Sequence, residues 1–218
     1  MKAIQKYDGG VIISAREYDI ASNTNIKQGT VVKLSAGKVV QAVAGETGVI
    51  LGIAAENHPG AADALNPRAN GTKILVVDCP DAVLASPAAV VEATGGSATT
   101  VTTDELGAYA NDDFNGGFLK LVKKAAGSTN TDPIGTVKEI TDYAYNSTGT
   151  VSTFTVASGG TANAGDKYEL YPPVGLAKGA LNSTFDAIVH TGVSCTVFKV
   201  IGRMIEQGIV LWKAVTHF

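Results

Sequence analysis

The sequence predicts an all-β fold made of two tandem small β-barrel or sandwich units and a C-terminal β-hairpin. Short runs rich in Val, Ile and Thr alternate with clusters of Gly, Asn, Asp and Pro, as strands alternate with turns. Helical periodicity is not sustained, and the most helix-like stretch, residues 82–93, carries Pro87 in its middle, so we expect a single turn there. A residue pattern also repeats at a constant spacing, which indicates an internal duplication.

In the first half of the chain, β-branched runs between turn residues predict five strands. They are expected at Val11–Ser14, Thr30–Ser35, Lys38–Val43, Val49–Ala54 and Lys73–Asp78. The second and third of these strands form a hairpin, because Ala36-Gly37 between them includes a residue that readily adopts positive φ in a tight turn.

In the second half, further β-branched and aromatic runs predict the remaining strands. They are expected at Thr99–Thr103, Phe118–Lys123, Gly135–Tyr145, Val151–Ala157, Lys167–Tyr171, Ala187–His190, Ser194–Ile201 and Ile209–Val215. The end of the chain is expected to form a hairpin, Val197–Arg203 and Ile209–Ala214, that turns around Glu206-Gln207-Gly208.

The repeat has an offset of 87 residues. Val31-Val32-Lys33-Leu34 matches Phe118-Leu119-Lys120-Leu121, and the run that begins at Gly48 matches the run that begins at Gly135. Downstream, the strand end at Asp78-Cys79-Pro80 is matched with Leu170-Tyr171-Pro172. Chance similarity between two Gly-rich strand segments is the alternative. A duplication predicts that Lys33 and Lys120 lie at equivalent positions.

The duplication divides the chain into three parts. Residues 1–90 form a first β-unit with an N-terminal arm, and residues 91–175 form a second β-unit. Residues 176–218 supply C-terminal strands that close the fold, either by completing the second sheet or by locking the two units together.

Composition excludes several classes of protein. The 218 residues are 45% hydrophobic, which is too apolar for a disordered chain. The net charge of −3 lacks the basic excess of a nucleic-acid binder. No apolar run reaches the ~18–20 residues that span a bilayer. We therefore expect no nucleic acid and no membrane among the partners.

The cysteines and the first residues indicate the compartment. Cys79 and Cys195 are far apart in strand-like contexts and are interpreted as small buried hydrophobes, with a long-range disulfide as the alternative. The opening segment lacks the apolar core of a signal peptide. We expect a protein made in a reducing cytoplasm.

No catalytic constellation is predicted. The segment 192–196 lacks the final Gly of a nucleophile elbow, and His190 falls on the opposite strand face from Cys195. The other histidines, His58 and His217, lie on separate elements, so a metal site is not expected either. We expect no enzyme activity and no cofactor.

The acidic run from Asn111 to Gly116 resembles a calcium loop only in part. Its twelfth position is Val122, where the loop requires a carboxylate. We interpret the run as a turn whose Asx side chains cap their own backbone.

A resemblance to a known family covers residues 29–85. This stretch contains the hairpin sequence GTVVKLSAGKVVQAVAG, then GVILGIAAEN, a variable loop and TKILVVDCPDAVLAS. It resembles the small β-structured capsid decoration (cement) proteins of tailed bacteriophages, and the second copy resembles them more weakly. The resemblance implies a structural virion protein, without catalytic residues, on the outer surface of the expanded capsid.

The same resemblance implies the partners and the contact residues. The partners are the major capsid protein and further copies of the chain, with a trimer favoured over a monomer or dimer. Similar proteins add an extended N-terminal arm to the capsid's β-structure, which implies this role for residues 1–7; the alternative is an ordinary first strand of the protein's own sheet. The residues predicted to contact the capsid or another subunit are Lys2, Ala3, Ile4, Tyr7, His58 and Trp212.

Trp212 and the loop at Glu56–Gly71 have separate reasons to be candidates. Trp212 lies on a strand with two largely apolar faces, which the body or another subunit is expected to cover. The loop is the next candidate contact after the N-terminal segment, because binding on a β scaffold concentrates in loops.

Functions from other classes remain open. One is a β-sandwich binding module of a phage tail or adhesion apparatus, which binds a carbohydrate or a receptor. Such a module needs exposed aromatic side chains, and the candidates are Tyr109, Tyr143, Tyr145, Tyr168, Tyr171 and Trp212. A major capsid or tail-tube subunit is the third possibility.

Overall fold

The computed structural model describes residues 2–6, 15–21, 24–43, 49–59, 73–78, 82–106, 109–177, 179–181, 188–190 and 198–214. The predicted all-β class is confirmed, since these residues form twenty strands and a single 3-10 turn, Ile205–Gln207, with no α-helix among them. No helix in this part of the chain is long and apolar enough to cross a membrane.

The strands among the described residues are numbered in chain order. They are β1 (Lys2–Lys6), β2 (Ala15–Asp19), β3 (Asn25–Ile26), β4 (Val31–Ser35), β5 (Lys38–Gln41), β6 (Gly52–Ala54), β7 (His58–Pro59), β8 (Lys73–Val77), β9 (Ala82–Pro87), β10 (Ala89–Glu92), β11 (Gly95–Gly96), β12 (Thr100–Thr103), β13 (Phe118–Lys123), β14 (Val137–Asn146), β15 (Val151–Val156), β16 (Lys167–Tyr171), β17 (Gly179–Leu181), β18 (Ile188–His190), β19 (Phe198–Met204) and β20 (Ile209–Ala214).

The first hairpin has the turn that its sequence predicts. β4 and β5 pair antiparallel, and the two turn residues Ala36 and Gly37 have φ of 49° and 76°. Positive φ at both central residues matches the right-handed twist of the flanking strands. The strand expected at Val11–Ser14 lies outside the described residues.

The first sheet has five strands in the order β2-β8-β6-β4-β5. Its two edges meet at one point, because Ile20, directly after β2, forms a bridge with Val39 of β5. The backbone N–H of Ala21 also donates to the carbonyl of Val39 at 3.2 Å. The sheet therefore curls around its own core, which contains Ile20, Ile26, Val32, Val39, Leu51, Ala54, Ile74 and Val76.

The second sheet has seven strands in the order β10-β16-β13-β14-β15-β12-β11. Its two edges, β10 and β11, belong to one run of chain, residues 89–96, which pairs first with β16 and then with β12. The sheet therefore wraps around a second core. Phe114, Tyr143 and Phe154 are at its centre, and their rings pack at centroid distances of 4.8–5.7 Å.

The two sheets share the order of four strands. In the first sheet, four antiparallel neighbours have the order β2-β8-β6-β4. In the second sheet, four antiparallel neighbours have the order β12-β15-β14-β13. Both sets follow the Greek-key order in which the first strand lies beside the fourth. Lys33 and Lys120 are each the third residue of the strand in the same place, β4 and β13.

One matched pair of the repeat differs in the structure. The sequence pairs the end of β8 with the end of β16, but β8 lies beside β6 whereas β16 lies beside β13. In the shared strand order the counterpart of β8 is β15. Both β8 and β16 end near a proline, and this local likeness does not reflect their places in the sheets.

Residues 82–93 are strands and not the helical turn that their composition suggests. Pro87 ends β9, and β10 begins two residues later in a different sheet. Proline has no backbone N–H for a continuing ladder, so it marks the place where the chain leaves one sheet for the next.

A third sheet joins the two ends of the chain. Its strands have the order β1-β9-β20-β19-β17-β18, so the C-terminal hairpin pairs with β9 and not with the second sheet. We call it the junction sheet, because its core collects side chains from all three of the larger sheets. This junction core contains Val31, Ala42, Ile50, Ile53, Leu84, Ala88, Tyr171, Phe198, Val200, Val210 and Trp212.

Candidate functional site

The N-terminal strand lies at the edge of the junction sheet. β1 pairs antiparallel with β9, with Lys2 opposite Ala85 and Ala3 opposite Leu84. The register then shifts, so that Ile4 is the extra residue of a β-bulge before Gln5 pairs with Val83. Among the described strands, β1 has a partner on one side only. We call its other side the N-terminal edge.

The first residues were predicted to form either a capsid-binding arm or an ordinary strand of the protein's own sheet. Lys2, Ala3 and Ile4 belong to a strand of the protein's own sheet, which is the alternative to an unattached arm. Tyr7 lies outside the described residues. The backbone of β1 nevertheless offers N–H and C=O groups along its outer side, and an edge of this kind accepts a further strand.

His58 is not on the protein surface. It begins the short strand β7, which pairs with β3, and its side chain is only 3% exposed. Its Nδ1 lies 3.0 Å from the carbonyl oxygen of Thr24, so Nδ1 carries the proton and donates. His58 therefore fastens two segments of the first unit, and the structure removes it from the candidate contact residues.

Trp212 is also internal. Its side chain is 1% exposed and packs in the junction core, so the body of the chain covers it. Val210, on the same face of β20, is fully buried as well. Of the two covers expected for this strand, the body of the chain or another subunit, the structure shows the body of the chain.

The aromatic side chains proposed as a sugar platform lie in the cores. Burial raises the pKa of the Tyr168 hydroxyl to about 12, and it also raises the pKa values of Tyr109, Tyr143 and Tyr171. Tyr145 is the member of the set that is half-exposed. These residues therefore do not form an open stacking surface.

A buried carboxylate holds the loops of the second unit together. Asp166 is fully buried and accepts hydrogen bonds from the backbone N–H of Ala125 and Asn163, at 2.8 and 3.1 Å. The side chains of Ser128 and Asn130 donate to it as well, at 3.2 and 3.0 Å. With all these donors satisfied by one carboxylate, the cluster is a structural fastening.

The acidic run after Ala110 is a self-capped turn, as its sequence predicts. The Asp113 carboxylate accepts from the backbone N–H of Ala110 at 2.8 Å, and the Asn115 amide donates to Asp112 at 2.8 Å. The side-chain oxygen of Asn111 accepts from the N–H of Tyr145 at 3.1 Å.

An open depression of about 440 Å³ lies beside β10 and carries the residues Glu92, Ala93, Thr94, Asp104, Glu105, Ala164 and Gly165. Two of its three carboxylates are engaged with neighbours: Glu105 accepts from the N–H of Glu92 at 2.7 Å, and Lys167 lies 3.0 Å from the Glu92 carboxylate. No group of His, Cys, Asp and Glu in the described part of the chain could hold a metal ion.

Several sequence candidates fall outside the described residues. They are Cys79, Cys195, His217 and most of the Glu56–Gly71 loop. Of the residues considered for a nucleophile elbow, only His190 is described, and only by its backbone, in β18.

Comparison with known protein families, with characterised proteins and with solved structures gave no match to this chain.

Two features of the site were not predicted from the sequence. The residues that pair with β1 are 76 to 83 positions away along the chain, and no local pattern in either segment predicts that pairing. The sequence around Asp166 indicates only a turn residue before a strand. Its role in holding the loops together is shown by its burial among four hydrogen-bond donors. The cluster of Asn and Asp residues between 130 and 166 was the available signal.

Proposed function

We propose that this protein is a structural virion protein that binds the outer surface of a phage capsid and stabilises it. The observation that carries the proposal is the position of β1, a terminal strand at the edge of a sheet with one described partner. A strand in that position can add to a β-structure of the capsid through main-chain hydrogen bonds. The resemblance of residues 29–85 to decoration proteins supports the same role.

The form of the edge suits selective pairing. Lys2 and Lys6 stand at the two ends of β1, and the bulge at Ile4 breaks the flat ladder between them. Edge lysines and bulges are devices that prevent indiscriminate association of sheet edges. A capsid strand must therefore match a short, bulged template, which favours one partner over aggregation.

Affinity from one short edge is small, and we propose that it is multiplied by oligomerisation. In a trimer, three N-terminal edges would meet the symmetric shell together, and each bound edge raises the effective concentration of the others. The partners are then the major capsid protein and further copies of this chain.

We also propose that the two units arose by duplication. The support is the shared order β2-β8-β6-β4 and β12-β15-β14-β13, together with the 87-residue offset of β4 and β13. A duplicated unit would let one chain replace two copies at a capsid position.

The test is co-sedimentation with capsids of the phage that encodes the chain, prepared without this protein. The intact protein is expected to sediment with the particles. A variant that lacks residues 1–6 is expected to stay in the supernatant, and its amide exchange in β12–β15 should be unchanged. Val174→Ser is the matched control, because Val174 is an exposed apolar residue outside β1, 57% exposed.

Two results would contradict the proposal at different levels. If the shortened variant sediments at full occupancy, the contact lies elsewhere on the protein, and the Glu56–Gly71 loop is tested next. If the intact protein does not sediment with the capsids, capsid decoration itself is wrong.

A further inference from the structure

The turn of the C-terminal hairpin lies against β13 and β16 of the second sheet. Arg203, at the end of β19, reaches back to this sheet and donates to the carbonyl oxygens of Gly116 and Pro172, at 2.8 and 3.2 Å. Its guanidinium carbon is 4.7 Å from the centre of the Phe118 ring. This side chain therefore combines two charge-assisted hydrogen bonds with a cation–π contact.

The 3-10 turn that follows is held from the other side. Lys120 on β13 donates to the carbonyl oxygen of Ile205 at 3.0 Å, and the Tyr171 hydroxyl lies 3.1 Å from the same oxygen. Glu169 supports both groups, since its carboxylate is 3.7 Å from Lys120 and accepts from Tyr171 at 2.5 Å.

The two ends of the hairpin differ in what holds them. At the base, Phe198, Val200, Val210 and Trp212 are at most 1% exposed and belong to the junction core. At the tip, which we define as residues 204–208, no residue of the 3-10 turn is buried, and Ile205 is the one tip residue that packs, partly buried, against that core. Segments that rest on few polar contacts open at a lower free energy than segments packed in a core.

Two glycines, Gly202 just before the tip and Gly208 at its end, lie at the positions where the backbone must bend if the tip opens. Gly202 follows the register shift after Val200, so the ladder between β19 and β20 is already irregular there. Gly208 ends the turn with φ of 69°. A residue without Cβ adopts this conformation at little cost.

We propose that the tip is a strap that closes over Phe118, Lys120, Glu169 and Tyr171 and opens independently of the hairpin base. Closed, it fixes the junction sheet against the second unit; open, it uncovers an aromatic and charged patch on the second sheet. The strap is a property of the fold and does not depend on capsid binding.

Amide hydrogen exchange measured by NMR on the full chain tests the strap. Its reporters are the N–H of Gly208, bonded to Ile205, and the N–H of Ala88, bonded to Gly208. The base is reported by the N–H of Val200, bonded to Leu176, and the second core by the N–H of Val156, bonded to Thr99.

In the intact protein we expect the two tip amides to exchange faster than the other two. Arg203→Met should accelerate the tip amides at least about tenfold, because it removes hydrogen bonds donated by a charged group. The amides of Val200 and Val156 should not change. Lys199→Met is the matched control, because Lys199 is an exposed cation on the same strand, and it should change none of the four.

Lys120→Met provides a second test if the Arg203 variant does not fold, because it removes the hydrogen bond from Lys120 to the carbonyl oxygen of Ile205. It should also accelerate the tip amides alone. Equal exchange at tip and base in the intact protein would overturn the strap. So would a variant that accelerates all four amides together, because the hairpin would then open only as a unit.

Discussion

Asp166 is a single residue whose ionisation makes the stability of the fold depend on pH. Burial alone raises the pKa of this carboxyl, but the hydrogen bonds from Ala125, Asn130, Asn163 and Ser128 outweigh it and hold the pKa below its usual range. A folded-state pKa below the unfolded value of about 3.9 means that the ionised carboxylate stabilises the fold above that pH. This contribution is lost as the pH falls through the folded-state pKa.

We therefore expect Asp166→Asn to lower the free energy of unfolding by about 2–3 kcal/mol at pH 7, because the buried donors then meet an amide in place of an anion. Urea unfolding at pH 7 and pH 3 checks this. The difference between the variant and the intact protein should shrink at pH 3. Asp104→Asn, at an exposed position, should behave like the intact protein at both pH values. A difference that persists undiminished at pH 3 would contradict the ionic role.

Gly52 is required by the close approach of two strands in the first sheet. A Cβ at this position would lie 2.1 Å from the carbonyl oxygen of Val77, which belongs to the backbone of β8 and cannot rotate away. We expect Gly52→Ala to destabilise the protein by at least about 2 kcal/mol, as overpacking against fixed atoms does. Thermal unfolding should show the loss, whereas Gly149→Ala, with its nearest contacts at 3.7 Å, should leave the midpoint nearly unchanged. Equal midpoints for both variants would refute the crowding.

At the scale of elements, the C-terminal hairpin supports the whole fold. Trp212 is the largest fully buried side chain and packs beside Leu84 and Phe198 in the junction core. We expect Trp212→Ala to cost about 3–5 kcal/mol, the range for removing a buried aromatic side chain, and Trp212→Phe to cost less. Circular dichroism in urea is the measurement, because the variants lack the only tryptophan.

Truncation before Phe198 extends this prediction. It would uncover the edge of β9 and the junction core together, so we expect aggregation during refolding. A soluble truncated protein that unfolds cooperatively would show that the hairpin is peripheral.

Elements with local signals were predictable from the sequence. β4, β5, β13, β15 and β16 alternate or carry a defined turn, and their positions follow from those patterns. β9 and β10 were mistaken for a turn because their alanines and Pro87 lack the period of a strand. Their conformation comes from β20 and β16, which pair with them from distant parts of the chain.

The candidate site depended even more on distant contacts. The sequence placed His58 in a binding loop, but pairing of β7 with β3 buries it. The resemblance implied an extended arm at Lys2 to Ile4, and only the sheet order shows that these residues form an edge strand of the protein's own sheet. Burial and edge position are properties of the assembled sheets, so a single strand's residues do not encode them.

At the scale of the whole molecule, three sheets share one junction core while two keep cores of their own. β1, which carries the N-terminal edge, pairs with β9, and β9 pairs with the C-terminal hairpin. A binding strand that is already ordered in a sheet loses less conformational entropy on binding than an unattached arm, and this supports the proposed role of the edge.

Electron cryomicroscopy of phage particles, with and without the gene for this chain, tests the central claim most directly. We expect the particles with the gene to carry additional density on the outside of the head at symmetric positions, with β1 and β9 facing the shell. Particles that lack the gene should lose that density and keep the rest of the head. Heads that look the same in both preparations, or density confined to the tail, would contradict capsid decoration.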